Sequence, residues 1–204
     1  SGDGTTRHFS LDNATLLLSS ITLSGGSLSS GNGAAVLAQN GASLILERCT
    51  FSENTASAGY GGALYLDDSY VLASRTTFTS TASSWQYGQG GAIYANGGVT
   101  SFTLCTWSEN FAGNYPRSGH GGAIRLNGGE HDFTKCVFYE NHASYGAGKG
   151  GAVYLGGSAT VSFTRTSFER NYVMFNGLGG AVYDALCASW SAPPRQLWLR
   201  GRQQ

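Results

Sequence analysis

Three glutamates occur in nearly the same local context, directly before an asparagine in the segments FSEN, WSEN and FYEN; they are Glu53, Glu109 and Glu140. Two carboxylates about 5 Å apart are the arrangement with which retaining glycosidases cleave a sugar bond. Stacked copies of a repeat, however, place such residues in a row without any catalytic requirement, and these glutamates have small polar neighbours. We therefore interpret them as a solvated acidic row and predict that the chain is not an enzyme.

The other candidate groups do not form a catalytic set either. His120 and His142 lie in different segments, with no carboxylate at a matching spacing. The acidic pair Asp67–Asp68 corresponds to Asn96–Gly97 and Asn127–Gly128 in the following copies of the local pattern. The four cysteines match no zinc-binding spacing. We expect no metal and no cofactor.

Two sequence markers recur in step along the chain. Gly-Gly-Ala followed by an aliphatic residue begins at positions 61, 90, 121, 150 and 179, with a degenerate copy at Gly33. The second marker is an aromatic residue followed three positions later by asparagine, as at Phe51 and Asn54. Both markers share a period of about 29 residues, which predicts a repeat protein whose units bury their apolar faces against one another.

Alignment on the two markers gives apolar columns that lie two residues apart, which is the period of a β-strand. Leu46, Phe102 and Phe133 share one column, and Phe51 and Trp107 share another. By the same rule, a third inward-facing column contains Ile21, Cys49, Thr76, Cys105, Cys136 and Thr166. No pattern repeats at helical spacing. The sequence therefore predicts an all-β fold, a right-handed parallel β-helix (solenoid) of about six coils with a period of about 29 residues.

The glycine and asparagine positions fit the corners of such a coil. A Gly-Gly pair allows positive φ or close backbone approach at a tight corner. An asparagine column follows one strand, where asparagine accepts the left-handed conformation and can stack amide on amide. Its members are Asn54, Asn110, Asn141 and Asn171, and Thr81 interrupts it in the third coil.

The combination of GGA[ILV] with FxxN resembles the repeats of the chlamydial-type polymorphic outer membrane proteins, and more broadly the pectin-lyase-like β-helix superfamily. The resemblance covers about residues 15–185. It implies a secreted or cell-surface passenger domain associated with adhesion. The broader superfamily includes polysaccharide lyases, which need clustered acidic residues and a basic residue, and this chain has no such cluster at matching positions.

The segments between the asparagine column and the next Gly pair vary in length, and variable loops of a solenoid often form its binding face. Their aromatic and polar residues suit stacking on a sugar or contact with a protein partner. The alternative is that these rings only cover the coils. The predicted loop-face residues are Tyr60, Trp85, Tyr87, Tyr115, Arg117, His120, His142, Tyr145, Lys149 and Tyr172.

A stripe of tyrosines follows the Gly pairs at Tyr65, Tyr94, Tyr154 and Tyr183, interrupted by Arg125. Each tyrosine lies between inward aliphatic positions, so we expect its ring to point outward. Such a stripe could dock a neighbouring subunit or a glycan. The alternative is a cross-strand ladder that only stabilises the sheet.

The sequence leaves two options for the state of the cysteines and two for the role of the C-terminal tail. Cys105 and Cys136 fall in adjacent coils, which permits a disulfide; otherwise they are buried thiols that act as small hydrophobic residues. The repeat stops at Cys187. We predict a single β-helix domain over residues 1–186 and a non-repeat tail over 187–204, which caps the rod end or docks on a neighbour.

Composition limits the function classes. Twelve Lys and Arg balance twelve Asp and Glu, so no nucleic-acid partner is expected. No apolar run is long enough for a transmembrane segment. We predict a secreted or cell-surface protein with a structural or adhesive role, a protein or glycan partner on the loop face, and end-to-end assembly of rods as an option. The alternative is a carbohydrate-binding or polysaccharide-active protein that uses the aromatic loop face.

Overall fold

The computed structural model describes residues 6–84, 87–114, 118–144, 147–174 and 177–185, and the backbone of Trp198–Arg200. Within these ranges the chain forms short parallel β-strands and no helix. Accordingly, the described residues include no helix of the length and hydropathy needed to cross a bilayer.

Each full coil contributes one strand to each of four sheets. Sheet A contains β1 (Phe9–Asp12), β5 (Val36–Gln39), β9 (Leu64–Asp67), β13 (Ile93–Asn96), β17 (Ile124–Asn127), β21 (Val153–Gly156) and β25 (Val182–Asp184). Sheet B contains β2 (Thr15–Ser19), β6 (Ser43–Glu47), β10 (Tyr70–Ser74), β14 (Val99–Thr103), β18 (Glu130–Thr134), β22 (Thr160–Thr164) and β26 (Trp198–Arg200). Sheet C contains β3 (Thr22–Ser24), β7 (Thr50–Ser52), β11 (Thr77–Thr79), β15 (Thr106–Ser108), β19 (Val137–Tyr139) and β23 (Ser167–Glu169). Sheet D contains β4 (Ser27–Leu28), β8 (Thr55–Ala56), β12 (Ala82–Ser83), β16 (Phe111–Ala112), β20 (His142–Ala143) and β24 (Tyr172–Val173).

Every strand pairs in parallel with the equivalent strand of the next coil. In sheet B, for example, Phe102 lies in register with Ala73 on one side and with Phe133 on the other. The predicted parallel β-helix of about six coils is confirmed. The structure has four strands per full coil, and the two-residue strands of sheet D are too short to show alternation in the sequence.

The interior consists of aromatic columns that run along the rod. Phe78, Trp107 and Phe138 stack face to face, with ring centroids 5.5 and 4.6 Å apart. Phe102 meets Trp107 edge-on at 5.0 Å, so the two inward columns interlock. Each such ring contributes about 2 kcal/mol or more through burial. Ile21, which we expected in the same column as Cys49, is 41% exposed in the first coil.

The two glycines of each Gly-Gly pair meet different requirements. The first has positive φ, as at Gly90 with 63° and Gly121 with 66°. The second lies against the backbone of the next coil, and a Cβ on Gly91 would collide with the carbonyl oxygens of Gly122 and Phe111. Backbone geometry therefore explains why glycine occurs at both positions of the pair.

The asparagine column forms a buried hydrogen-bonded ladder. The Nδ2 of Asn110 donates to Oδ1 of Asn141 at 2.8 Å, and Nδ2 of Asn141 donates to Oδ1 of Asn171 at 2.9 Å. Thr81 continues the ladder, since its hydroxyl donates to Oδ1 of Asn110 at 2.7 Å. The expectation that asparagine takes the left-handed conformation here is wrong. That conformation belongs to the preceding residue, such as Glu109 with φ 56°, which leaves the amide free to turn inward.

Two further corners also have positive φ but differ in the residues that they use. Between sheets A and B the chain uses asparagine, aspartate and glycine, as at Asn13, Asp68 and Gly128. Between sheets B and C the residues with positive φ are Ser20, Arg48, Arg75, Leu104, Lys135 and Arg165, all exposed. Long charged side chains therefore occupy this corner, although its positive φ does not favour arginine or lysine.

The three described cysteines are buried free thiols, so the disulfide permitted between Cys105 and Cys136 is not formed. A hydrogen bond between these two thiols, together with burial, raises the pKa of Cys136. Within the predicted tail, Cys187 lies outside the described residues. The backbone of Trp198–Arg200 forms β26 and pairs in parallel with β22, which adds a seventh strand to sheet B.

Candidate binding faces

The predicted tyrosine stripe and part of the predicted loop face meet on the outer side of sheet A. We call this surface the tyrosine face. Its members are Tyr60, Tyr65, Tyr94, His120, Arg125, Lys149, Tyr154 and Tyr183.

One row of the tyrosine face is a continuous stack along sheet A. The rings of Tyr65 and Tyr94 are 5.2 Å apart with an interplanar angle of 2°. The guanidinium carbon of Arg125 lies 5.9 Å from the centre of the Tyr94 ring and 4.4 Å from that of Tyr154. Tyr154 then stacks on Tyr183 at 5.5 Å. Arg125 therefore continues the stack through cation–π contacts, whereas the sequence pattern suggested an interruption.

A second row comes from residues just before the Gly-Gly pairs. Tyr60 stacks on Tyr94 at 5.2 Å, and His120 stacks on Tyr154 at 5.0 Å. The ammonium nitrogen of Lys149 lies 4.9 Å from the centre of the Tyr183 ring. Backbone bridges between successive coils, such as that of His120 with Lys149, hold this row in register.

Stacking limits what the tyrosine face can offer to a ligand. Tyr94 retains only 9% of its exposure, and the other rings are half-buried. Burial, helped by Asp67 and the neighbouring tyrosines, raises the pKa of Tyr65 to about 12, so its hydroxyl stays a neutral donor. A ring stacked on both faces can offer only its edge and its hydroxyl. The face therefore suits hydrogen bonding and cation contacts better than ring-on-ring stacking with a sugar.

Burial lowers the pKa of His120 to about 4, and the positive charges of Arg125 and Lys149 add to this effect. Because the unfolded chain binds the proton more readily, the free energy of unfolding should fall as the pH drops from about 6.5 to about 4. With allowance for partial solvent exposure, we expect His120 to account for about 1–2 kcal/mol of this loss. His131 and His142, whose pKa burial also lowers, act with the same sign. Denaturant unfolding of the wild type and His120→Gln across this range should show a shallower pH slope in the variant; equal slopes would contradict this assignment.

Other predicted residues lie on sheet D, in a second candidate site. Phe111, His142 and Tyr172 form a stack there, with centroid distances of 4.7 and 5.1 Å. Beside them runs the acidic row, and together they line an open groove that we call the histidine groove. It is lined by Glu109, Glu140, His142, Arg170 and Tyr172.

The charges of the histidine groove are partly paired. Arg170 lies 3.2 Å from the carboxylate of Glu140, and the two side chains are 73% and 36% exposed. Hydrogen bonds from Tyr139 and Arg170 lower the pKa of Glu140, which keeps it ionised. A general acid of a glycosidase needs the opposite shift. The groove can thus offer carboxylates and ring edges as binding groups, but Glu140 does not have the protonation of a catalytic acid.

Of the remaining predicted loop-face residues, the structure describes Tyr87 alone. Tyr87 lies in a loop and is 44% exposed. Trp85, Tyr115, Arg117 and Tyr145 lie outside the described residues. Across the described part of the chain, no three His, Cys, Asp or Glu side chains lie close enough together to hold a metal ion.

The fold and these repeated rows define a β-solenoid repeat protein with outward-facing polar and aromatic stripes. A comparison with protein families matches residues 48–67 and 135–156 to the Chlamydia polymorphic membrane protein repeat. These two segments, each containing part of a coil, are therefore similar to repeats of this type. Comparisons with curated proteins and with solved structures gave no match.

Proposed function

We propose that the chain is a non-enzymatic adhesive module, secreted or located at the cell surface, that binds a protein partner through the tyrosine face. The observation that carries the proposal is the ordered row of stacked tyrosines and cations on sheet A. The surface-type repeats support the location.

The tyrosine face suits a protein partner for physical reasons. Tyrosine and arginine are enriched in the buried centres of protein interfaces. Here the side chains are held by stacking on rigid strands before any partner arrives, so little rotamer freedom is lost on binding. His120 and Lys149 add polar groups at the edge of the same face.

Carbohydrate binding is the second candidate function, and the histidine groove is the feature that favours it. Tyr172 is 44% exposed there and lines the groove together with Glu109 and Arg170. Carboxylates next to exposed aromatic side chains are groups that can hydrogen-bond and pack on a sugar.

The proposal is tested by the triple substitution Tyr65→Phe, Tyr94→Phe and Tyr154→Phe. It keeps the stacked rings and removes only three hydroxyl groups, so we expect the unfolding temperature to change little. Loss of three hydrogen-bonding groups should lower the attachment of protein-coated beads to cultured cell layers by about tenfold or more. Attachment is measured under flow against beads coated with the wild type.

Tyr70→Phe is the matched control, because Tyr70 is an exposed tyrosine on sheet B, away from the tyrosine face. Its attachment should equal that of the wild type. Undiminished attachment of the triple variant would rule out the tyrosine face as the contact surface. A glycan array tests the second candidate: loss of a glycan signal in Tyr172→Ala would assign that binding to the histidine groove.

A further inference from the structure

The corner between sheets B and C carries an unusual concentration of positive charge. In the five coils after the first, its exposed residues are Arg48, Arg75, Leu104, Lys135 and Arg165. We call the four cations the basic ladder. They lie in single file along a chain whose total charge is balanced.

Backbone conformation does not explain the basic ladder. Arg48 and Arg75 have φ of 51° and 48°, in the left-handed region that costs conformational energy for residues other than glycine and asparagine. At the corner between sheets A and B, the same chain meets this requirement with residues such as Asn13 and Gly128. The arginines and lysine are therefore present despite the conformation that they must adopt.

Favourable charge interactions within the protein do not explain the basic ladder either. The backbone N–H of Arg48 donates to the carbonyl of Ser74, which places Arg48 beside Arg75 in the next coil. Lys135 and Arg165 are neighbours in the same way. Like charges at neighbouring positions on adjacent strands destabilise a sheet. Among the described residues, the ladder has one ion pair, from Arg48 to Glu47 at 3.5 Å, and both side chains are exposed.

We propose that the basic ladder binds a linear acidic polysaccharide that carries sulfate or carboxylate groups. An anionic chain would relieve the repulsion between neighbouring cations through charge-assisted hydrogen bonds. From Arg48 to Arg165 the ladder spans four coil spacings, about 19 Å, in a track one residue wide. That shape fits a single extended polymer lying along the rod.

The surroundings of the basic ladder favour a sugar polymer over other polyanions. Hydroxyl residues border it on both sides and could bond sugar hydroxyls; they include Ser74, Thr103, Thr134 and Thr164 on sheet B, and Thr50, Thr77 and Thr106 on sheet C. Neither bordering column contains an aromatic residue on which a nucleic-acid base could stack. The acidic row follows the opposite edge of sheet C and would repel a wide polyanion such as duplex DNA.

The test measures binding of a fluorescent heparin octasaccharide to the wild type and to Arg48→Asn/Arg75→Asn/Lys135→Asn/Arg165→Asn. We expect the dissociation constant to rise about tenfold or more, and its dependence on salt to weaken. Because asparagine accepts the left-handed conformation, the unfolding temperature of this variant should rise. Loss of binding with increased stability distinguishes a ligand-binding role from a structural one.

A matched control lowers the net charge by the same four units away from the ladder. Ser29→Glu/Ser30→Glu/Ser57→Glu/Asn114→Asp changes exposed residues on loops that follow sheet D, and its affinity should stay close to that of the wild type. Equal weakening in this control would overturn the proposal, because net charge alone would then explain binding. Equal affinity for an uncharged octasaccharide, or tighter binding to duplex DNA or to phosphatidylserine vesicles, would also overturn it.

Discussion

Gly91→Ala is expected to cost about 3 kcal/mol or more of the free energy of unfolding. The new methyl group would collide with the carbonyl oxygens of Gly122 and Phe111, both in the next coil. These are backbone atoms held by sheet pairing, so no side chain can rotate aside to make room. Denaturant unfolding, with the midpoint and slope fitted together, measures the loss.

Gly128→Ala is the control for the Gly91 variant. Gly128 has φ 87°, but its added methyl group would meet no atom closer than 3.7 Å. We therefore expect only the cost of the left-handed conformation, about 1–2 kcal/mol. Similar losses in the two variants would mean that the coils can separate locally at Gly91, which contradicts the close approach described for the Gly-Gly corner.

Asn110→Asp is expected to be the most damaging change of a single polar group, with a loss of about 4 kcal/mol at neutral pH. In the native ladder, Nδ2 of Asn110 donates to the carbonyl of Phe78 at 3.1 Å and to Oδ1 of Asn141 at 2.8 Å. A carboxylate would put a buried negative charge against these two acceptors. Thermal and denaturant unfolding of the variant measure the loss.

The pH dependence of the Asn110→Asp variant has a definite sign. Burial beside acceptors raises the pKa of the introduced carboxyl above its unfolded value, so the folded state favours the protonated form. The loss should be small in acid and should grow as the pH rises from about 4 toward neutrality. Asn110→Thr is the control, because Thr81 already occupies the equivalent position. A loss in Asn110→Asp that does not vary with pH would contradict a buried charge as its cause.

Much of the fold could be predicted from the sequence, because certain positions of the coil require particular residue types and few other residues can replace them. Only glycine fits where Gly91 meets the next coil, and stacked rings fill the column at Phe78 and Trp107. Such positions recur at each turn, so the period and the parallel stacking could be read from their spacing. The buried amide ladder follows from the recurrence of asparagine for the same reason.

The parts that could not be predicted are those where residue type does not reveal conformation. The alignment places Arg75 and Lys135 at equivalent positions, but arginine and lysine rarely adopt positive φ, so residue type did not mark this position as a left-handed corner. The contact of Arg125 with two tyrosine rings also needs coordinates, because a cation in an aromatic column looks like a break. Loop spacing likewise could not show that His120 and His142 belong to different surfaces.

The parallel register also sets how this molecule can change in length. Every surface row has one position per coil, although Ser80 interrupts the acidic row and Leu104 the basic ladder, and all three rows advance with the same pitch. Because each coil contacts only its neighbours, duplication in the gene of the 29-residue unit 121–149, which carries Arg125, Lys135 and Glu140, would lengthen all of these rows at once. The number of coils encoded in the gene thus sets the number of binding positions along the rod. A longer rod would bind an extended partner with higher avidity without requiring any new kind of contact.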